Sequence, residues 1–221
     1  MKSVADGVWS LGGVRNGINA YLVDDVLIDA RTKWAARPLL RSLKDVEVNA
    51  HALTHVHPDH QGASAAVCRA LDVPFWVPAP EVRPAETGAV YDGMPPSVFG
   101  WLQQRLWVGP GHPVDRELRE GDEVAGFAVV ETPGHSDGHV SFWRERDGTL
   151  VLGDVLVNMH LLTTRPGLRE PPSVFTNDPS QNRESARKVA DLEPDTVLFG
   201  HGPPLTDGER FEAFVAGLSR T

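Results

Sequence analysis

Thr54-His55-Val56-His57-Pro58-Asp59-His60-Gln61-Gly62 decides how the rest of the chain is read. It follows an apolar stretch over 46–54 that predicts a buried strand, and it precedes a small-residue run over 62–71 that predicts a helix. His55 and His57 are two apart, so extended backbone points both imidazoles to one face, where they can share a cation. Pro58 cannot continue a strand ladder and turns the chain, after which Asp59 and His60 project from another direction and can hold a second cation. A single histidine is commonly structural, and an aspartate alone is commonly a helix cap. Three histidines and an aspartate within six residues form instead a donor set for a divalent metal.

Three further ligand types follow predicted strands. Thr132-Pro133-Gly134-His135 closes a strand over 127–131, Gly153-Asp154 closes one over 150–152, and Gly200-His201-Gly202 closes one over 196–199. In each case glycine lets the backbone turn at the rim without a Cβ clash. Elsewhere, strands are predicted over 8–11, 19–23, 26–29, 75–77 and 140–143. Helices are predicted over 34–43, 97–106 with Ser97 as N-cap, 180–192 and 208–218. Residues 78–116, apart from the 97–106 helix, and 157–179 read as irregular. Strands before, between and after helices predict layered sheets covered by helices, with the chemistry at strand ends.

In this order, His-x-His-x-Asp-His, Pro-Gly-His, Gly-Asp and Gly-His-Gly resemble the metallo-β-lactamase superfamily, and its glyoxalase II-like branch most of all, over nearly the whole chain. The resemblance implies an α/β fold, the four-layer αββα sandwich, as one domain over 1–221. It implies two divalent metal ions, Zn2+ ahead of Fe or Mn. His55, His57 and His135 would hold the first, Asp59, His60 and His201 the second, and Asp154 would bridge them. Two such cations roughly 3.5–4 Å apart activate a shared water for attack on an ester, thioester, lactone or amide carbonyl. Asp59 is also the candidate catalytic residue, steering that water or passing on its proton. His139, four after His135, is read as support behind the ligands, and Asp29 as a brace for the metal loop. His160 is a candidate for the pocket wall, with 80–113 and 157–178 as the loops that choose the substrate. His51 and His112 are read as structural or surface residues.

Composition narrows the partners. Thirty acidic against 21 basic residues give a formal charge of −9, and no run of Lys or Arg forms a phosphate-binding patch, so a small-molecule substrate is expected and nucleic acid is not. Cys68, the only cysteine, lies in an apolar stretch and is expected to be a packed thiol. The first seven residues hold no apolar core and nowhere do eighteen or so apolar residues run together, so a cytoplasmic chain without a membrane span is expected. Glyoxalase II proper carries a C-terminal helical region that helps bind its glutathione thioester; here 20 residues follow His201, which argues against that substrate. Two rivals stay open. One is an iron-dependent sulfur dioxygenase using a single iron on the first-site residues; the other is a sensing protein that keeps the fold and metals with negligible turnover.

Overall fold

The computed structural model describes residues 1–13, 16–90 and 106–219. The helix expected over 97–106 lies, all but its last residue, outside them. Seven strands follow one another across the first sheet: β1 (Lys2–Ala5), β2 (Val8–Ser10), β3 (Tyr21–Val23), β4 (Val26–Ile28), β5 (Ala50–Ala52), β6 (Phe75–Pro78) and β7 (Arg116–Leu118). The first four pair antiparallel, with two-residue connections between β1 and β2 and between β3 and β4; from β4 onward the pairing is parallel. Parallel neighbours need a crossover. α1 (Ala36–Leu43) supplies it between β4 and β5. Between β5 and β6 it is the short α2 (Pro58–Gln61) followed by α3 (Ser64–Leu71). A six-residue helix, α4 (Val82–Thr87), follows β6.

Next come β8 (Glu123–Val124), β9 (Phe127–Glu131), β10 (Val140–Arg144) and β11 (Thr149–Gly153), then a separate hairpin of β12 (Val157–Met159) and β13 (Pro166–Arg169). After α5 (Pro179–Ala190), β14 (Thr196–Phe199) joins β11 in parallel, and α6 (Gly208–Ala216) follows. The second sheet has the order β14-β11-β10-β9-β8.

Side-chain alternation shows how the layers stack. Tyr21, Val23, Val26 and Ile28 of the first sheet pack with Val129, Phe142, Val151 and Leu198 of the second. The intervening Leu22 and Leu27 point the other way, onto Leu39 and Leu43 of α1 and Val67 of α3. In the second sheet Leu150, Leu152, Val197 and Phe199 likewise face outward, onto Ala186 and Val189 of α5 and Phe211 and Val215 of α6. A strand whose alternate residues are apolar on both faces must be covered on both faces. The result is the helix–sheet–sheet–helix sandwich expected. Each fully buried Leu, Ile or Phe contributes about 1.5–3 kcal/mol to it.

Several boundaries differ from expectation. The strand over 46–54 shrinks to β5 because Val46 and Val48 pack against the α1 layer instead of pairing. The stretch 157–179, read as irregular, contains β12–β13; 78–116 holds α4, and β7 starts at its last residue. β1 precedes the first strand expected. Among the described residues no helix is long and apolar enough to cross a membrane.

Candidate metal centre

β9 and β11 each run antiparallel to β10, so they run the same way, and β14 is parallel to β11. His135, Asp154 and His201, each following the C-terminal end of one of these strands, therefore meet at one edge. The loop after β5 reaches that edge from the other sheet, where Val140 N–H donates to Thr54 C=O at 2.9 Å.

All seven residues singled out converge there. His135 Nε2 lies 3.0 Å from His57 Nδ1, and the His55 ring stands edge-on to both, with centroids 4.6 and 4.9 Å away. Opposite, His201 Nε2 is 3.2 Å from Asp59 Oδ2. Asp154 Oδ2 sits between, 3.1 Å from His201 Nε2, 3.5 Å from His60 Nε2 and 3.6 Å from His135 Nε2. Within His55–His57–His135, and again within Asp59–His60–His201, the donor atoms lie within 4.8 Å of one another.

These residues fit a metal. His55 Nε2 and His60 Nε2 are buried without a hydrogen-bond partner among the described residues, a loss of about 1–3 kcal/mol each unless something else satisfies them. Imidazole and carboxylate donors suit borderline divalent cations.

Hydrogen bonds behind the donors set their tautomers. His55 Nδ1–H donates to Thr54 Oγ1 at 2.9 Å, and Thr54 passes its own proton to Asp29 Oδ2 at 2.9 Å. His60 Nδ1–H donates to Asp29 Oδ2 at 2.8 Å, and His201 Nδ1–H to Gly17 C=O at 2.5 Å. Each leaves an Nε2 lone pair for the site. Asp29 is thus the expected brace, and it also accepts Thr54 N–H at 2.9 Å. His139 supports Asp154 as expected: its Nε2 accepts the Asp154 N–H at 3.0 Å while its Nδ1 meets Thr132 Oγ1 at 2.8 Å. Burial pushes the His139 pKa down to about 3, so the ring stays a neutral acceptor.

The glycines play unequal parts. Gly134 and Gly153 have φ of +127° and +64°, but Gly200 does not need a positive φ; its role is close approach. His160 does not join the cluster: its Nδ1 accepts Leu162 N–H and Thr163 N–H at 3.3 Å, capping the turn between β12 and β13. His51 bonds Leu27 C=O and Ser64 Oγ at 2.9 and 2.8 Å, a structural role, and His112 stacks edge-on to Phe75. Sequence reasoning missed Asn19, whose Nδ2 donates to Phe199 C=O and Gly202 C=O at 2.9 and 2.7 Å and pins the His201 turn. It also missed Glu81, a buried carboxylate that touches both first-site loops.

Without metal the two halves differ in charge. Burial, then the neighbouring histidines, hold His55 and His135 well below the usual pKa. Burial also opposes charge on His201, but Asp154 and Asp59 overcome it and push its pKa up to about 10; Asp154 and Asp29 likewise hold His60 well above its usual value. At pH 7 His201 is therefore protonated, and a cation in the second half must displace that proton. Apparent affinity there is expected to rise about tenfold per pH unit between pH 7 and 9 for each proton displaced, while the first half stays flat. Zinc titration of chelator-stripped protein against a pH indicator checks this; a second equivalent that releases no proton contradicts it.

Comparison with known proteins places the site in context. Residues 13–201 match the family model of the metallo-beta-lactamase superfamily. Probable metallo-hydrolase YflN of Bacillus subtilis is 31% identical over 215 residues, covering 88% of this chain and 81% of that protein. A hydroxyacylglutathione hydrolase of Bdellovibrio bacteriovorus is 25% identical over 178 residues, covering 79% of this chain and 56% of that longer protein. Among solved structures, TTHA1623 in a di-iron-bound form is 32% identical, with a TM-score of 0.66 over 86% of this chain and 89% of that one.

Proposed function

Because the chain belongs to the metallo-beta-lactamase superfamily, a family of metallo-hydrolases among its relatives, we propose that it is a binuclear hydrolase acting on an ester, thioester, lactone or amide carbonyl of a small molecule. One observation carries the proposal: Asp154 Oδ2 stands 3.1–3.6 Å from His201, His60 and His135, donors of both triads, where a carboxylate can serve two cations at once. When bound, divalent cations lower the pKa of water toward neutrality and polarise a carbonyl oxygen.

The protein's own groups do the rest. His55, His57 and His135 would hold one cation and Asp59, His60 and His201 the other, with zinc the metal proposed. Although burial works to raise the Asp59 pKa, the hydrogen bond from His201 and the charges of His60 and His201 take it well below the carboxylate range. It is therefore a charged acceptor able to orient a water proton. Asp59→Asn is expected to lower kcat by about 10²-fold, a typical share for proton transfer. Full metal and full turnover in that variant would sink the role.

The acidic surface and the absence of a basic run support a small substrate without a polyanionic part.

Elemental analysis of protein purified without chelator, followed by a panel of esters, thioesters, lactones and a β-lactam, tests the proposal. Near two zinc per chain with turnover supports it; two irons, as in the similar di-iron protein, would change the metal only. One iron per chain with oxygen uptake on a persulfide would replace it with the dioxygenase. Two metals with no turnover and tight ligand binding would replace it with a sensor.

A further inference from the structure

We infer that Glu81 is a positioning residue for the first metal site, holding the His55–His57 turn and the His135 loop at a fixed separation. This rests on the metal reading above. Glu81 is 5% exposed and ends the single 3-10 turn between β6 and α4. Its Oε2 accepts the N–H of Val56, the residue between His55 and His57. Its Oε1 accepts the hydroxyl of Ser136, the residue after His135, and the N–H of Gly138 at 3.1 Å. One carboxylate thus clamps from behind the two loops whose imidazoles approach to 3.0 Å at the front.

Three donors converge on two oxygens, so the clamp uses a group that only accepts. The packing leaves it no slack: a Cβ added to Gly138 would lie 2.6 Å from Glu81 Cγ. Burying a carboxylate is unfavourable unless its hydrogen bonds compensate, and an apolar side chain would fill the same space without that penalty. What the apolar side chain would not do is tie the two loops to one point. Asp29 divides the work differently, since it grips His60 directly and reaches His55 only through Thr54. Among the described residues Glu81 bonds the first-site segments directly, at Val56 between His55 and His57 and at Ser136 and Gly138 after His135, and bonds neither Asp59, His60 nor His201.

Glutamine has the same shape, but one oxygen becomes an NH2 that must face either Val56 N–H or the Ser136 and Gly138 donors. Glu81→Gln therefore keeps one loop and loosens the other, since a backbone N–H of Val56 or Gly138 is left facing the NH2 even where the Ser136 hydroxyl turns to accept it. Competition titration with cobalt, in wild type and variant, measures both sites separately. The His55–His57–His135 site is expected to weaken by about 10- to 100-fold, with the visible absorption of its cobalt altered, while the Asp59–His60–His201 site stays within about threefold. Ser136→Ala, which removes one donor and leaves the carboxylate, is expected to weaken the first site alone by a smaller factor, and it decides the matter if Glu81→Gln does not fold. A lower Tm of the metal-free variant with both affinities unchanged would overturn the inference, because that is the behaviour of a merely structural carboxylate. Wild-type protein that takes up no cobalt would overturn the metal reading and the role of Glu81 with it.

Discussion

Asp154→Asn is expected to lower kcat/KM by about 10³-fold or more on whichever carbonyl substrate the protein turns over, since several kcal/mol of charge stabilisation are at stake and each 1.4 kcal/mol is tenfold. Asp154 Oδ2 lies within 3.6 Å of donors from both triads. Burial alone would raise its pKa, yet His201 and His60 hold it well below the usual carboxylate range, so it is fully ionised at neutral pH. Asparagine keeps the volume and removes the charge. It also presents an NH2 toward His201 Nε2 or toward the buried Oδ1 position. Metal content should fall together with activity, and steady-state kinetics with elemental analysis on the same preparation reads both. A variant that kept two cations and a tenth or more of wild-type kcat/KM would show that the two halves do not share this carboxylate.

The donors were legible because each is marked locally. Three histidines and an aspartate fall within six residues, and His135, Asp154 and His201 each follow a glycine at the end of a strand. The parts behind them were not, because their partners are distant in the chain. Glu81 meets Val56 across 25 residues and Ser136 across 55, and Asn19 reaches Phe199 across 180. Nothing in Val77-Pro78-Ala79-Pro80-Glu81 has a period that marks its glutamate as buried. Asp29 was the exception, since an acidic residue ending an apolar strand is conspicuous. The same locality explains the fold. The short apolar runs of β3 and β4 on either side of Asp24-Asp25 are visible in sequence, but β12 is three residues long and β13 opens on Pro166, so their pairing leaves no pattern. β1 lies at a sheet edge with Lys2 and Ser3 exposed, which removes the apolar signal.

Gly200→Ala is expected to remove metal from the second site while leaving the sandwich folded. Gly200 has no positive φ, so alanine is acceptable to the backbone itself. The obstacle is space: an added Cβ would lie 2.0 Å from Asp154 Oδ1 and 2.7 Å from His60 Cε1. The strand end cannot retreat, because Gly200 N–H donates to Gly153 C=O at 2.9 Å and Asn19 N–H donates to Gly200 C=O at 2.8 Å. The Asp154 carboxylate and the His60 ring must move instead, and a displacement near 1 Å is enough to spoil a cation's coordination. Second-site affinity should fall by about 10²-fold or more and turnover with it, as loss of a ligand's support does elsewhere. Circular dichroism should stay that of the wild type, because the methyl group meets site residues and not the apolar layers. Gly153→Ala gives the contrast: with φ at +64° and His139 Nε2 2.6 Å from the new Cβ, strain and crowding act together, and loss of folded protein is expected. If Gly200→Ala bound two cations with wild-type affinity, Asp154 and His60 would have room that the geometry denies them, and the second site would have to be built from other donors.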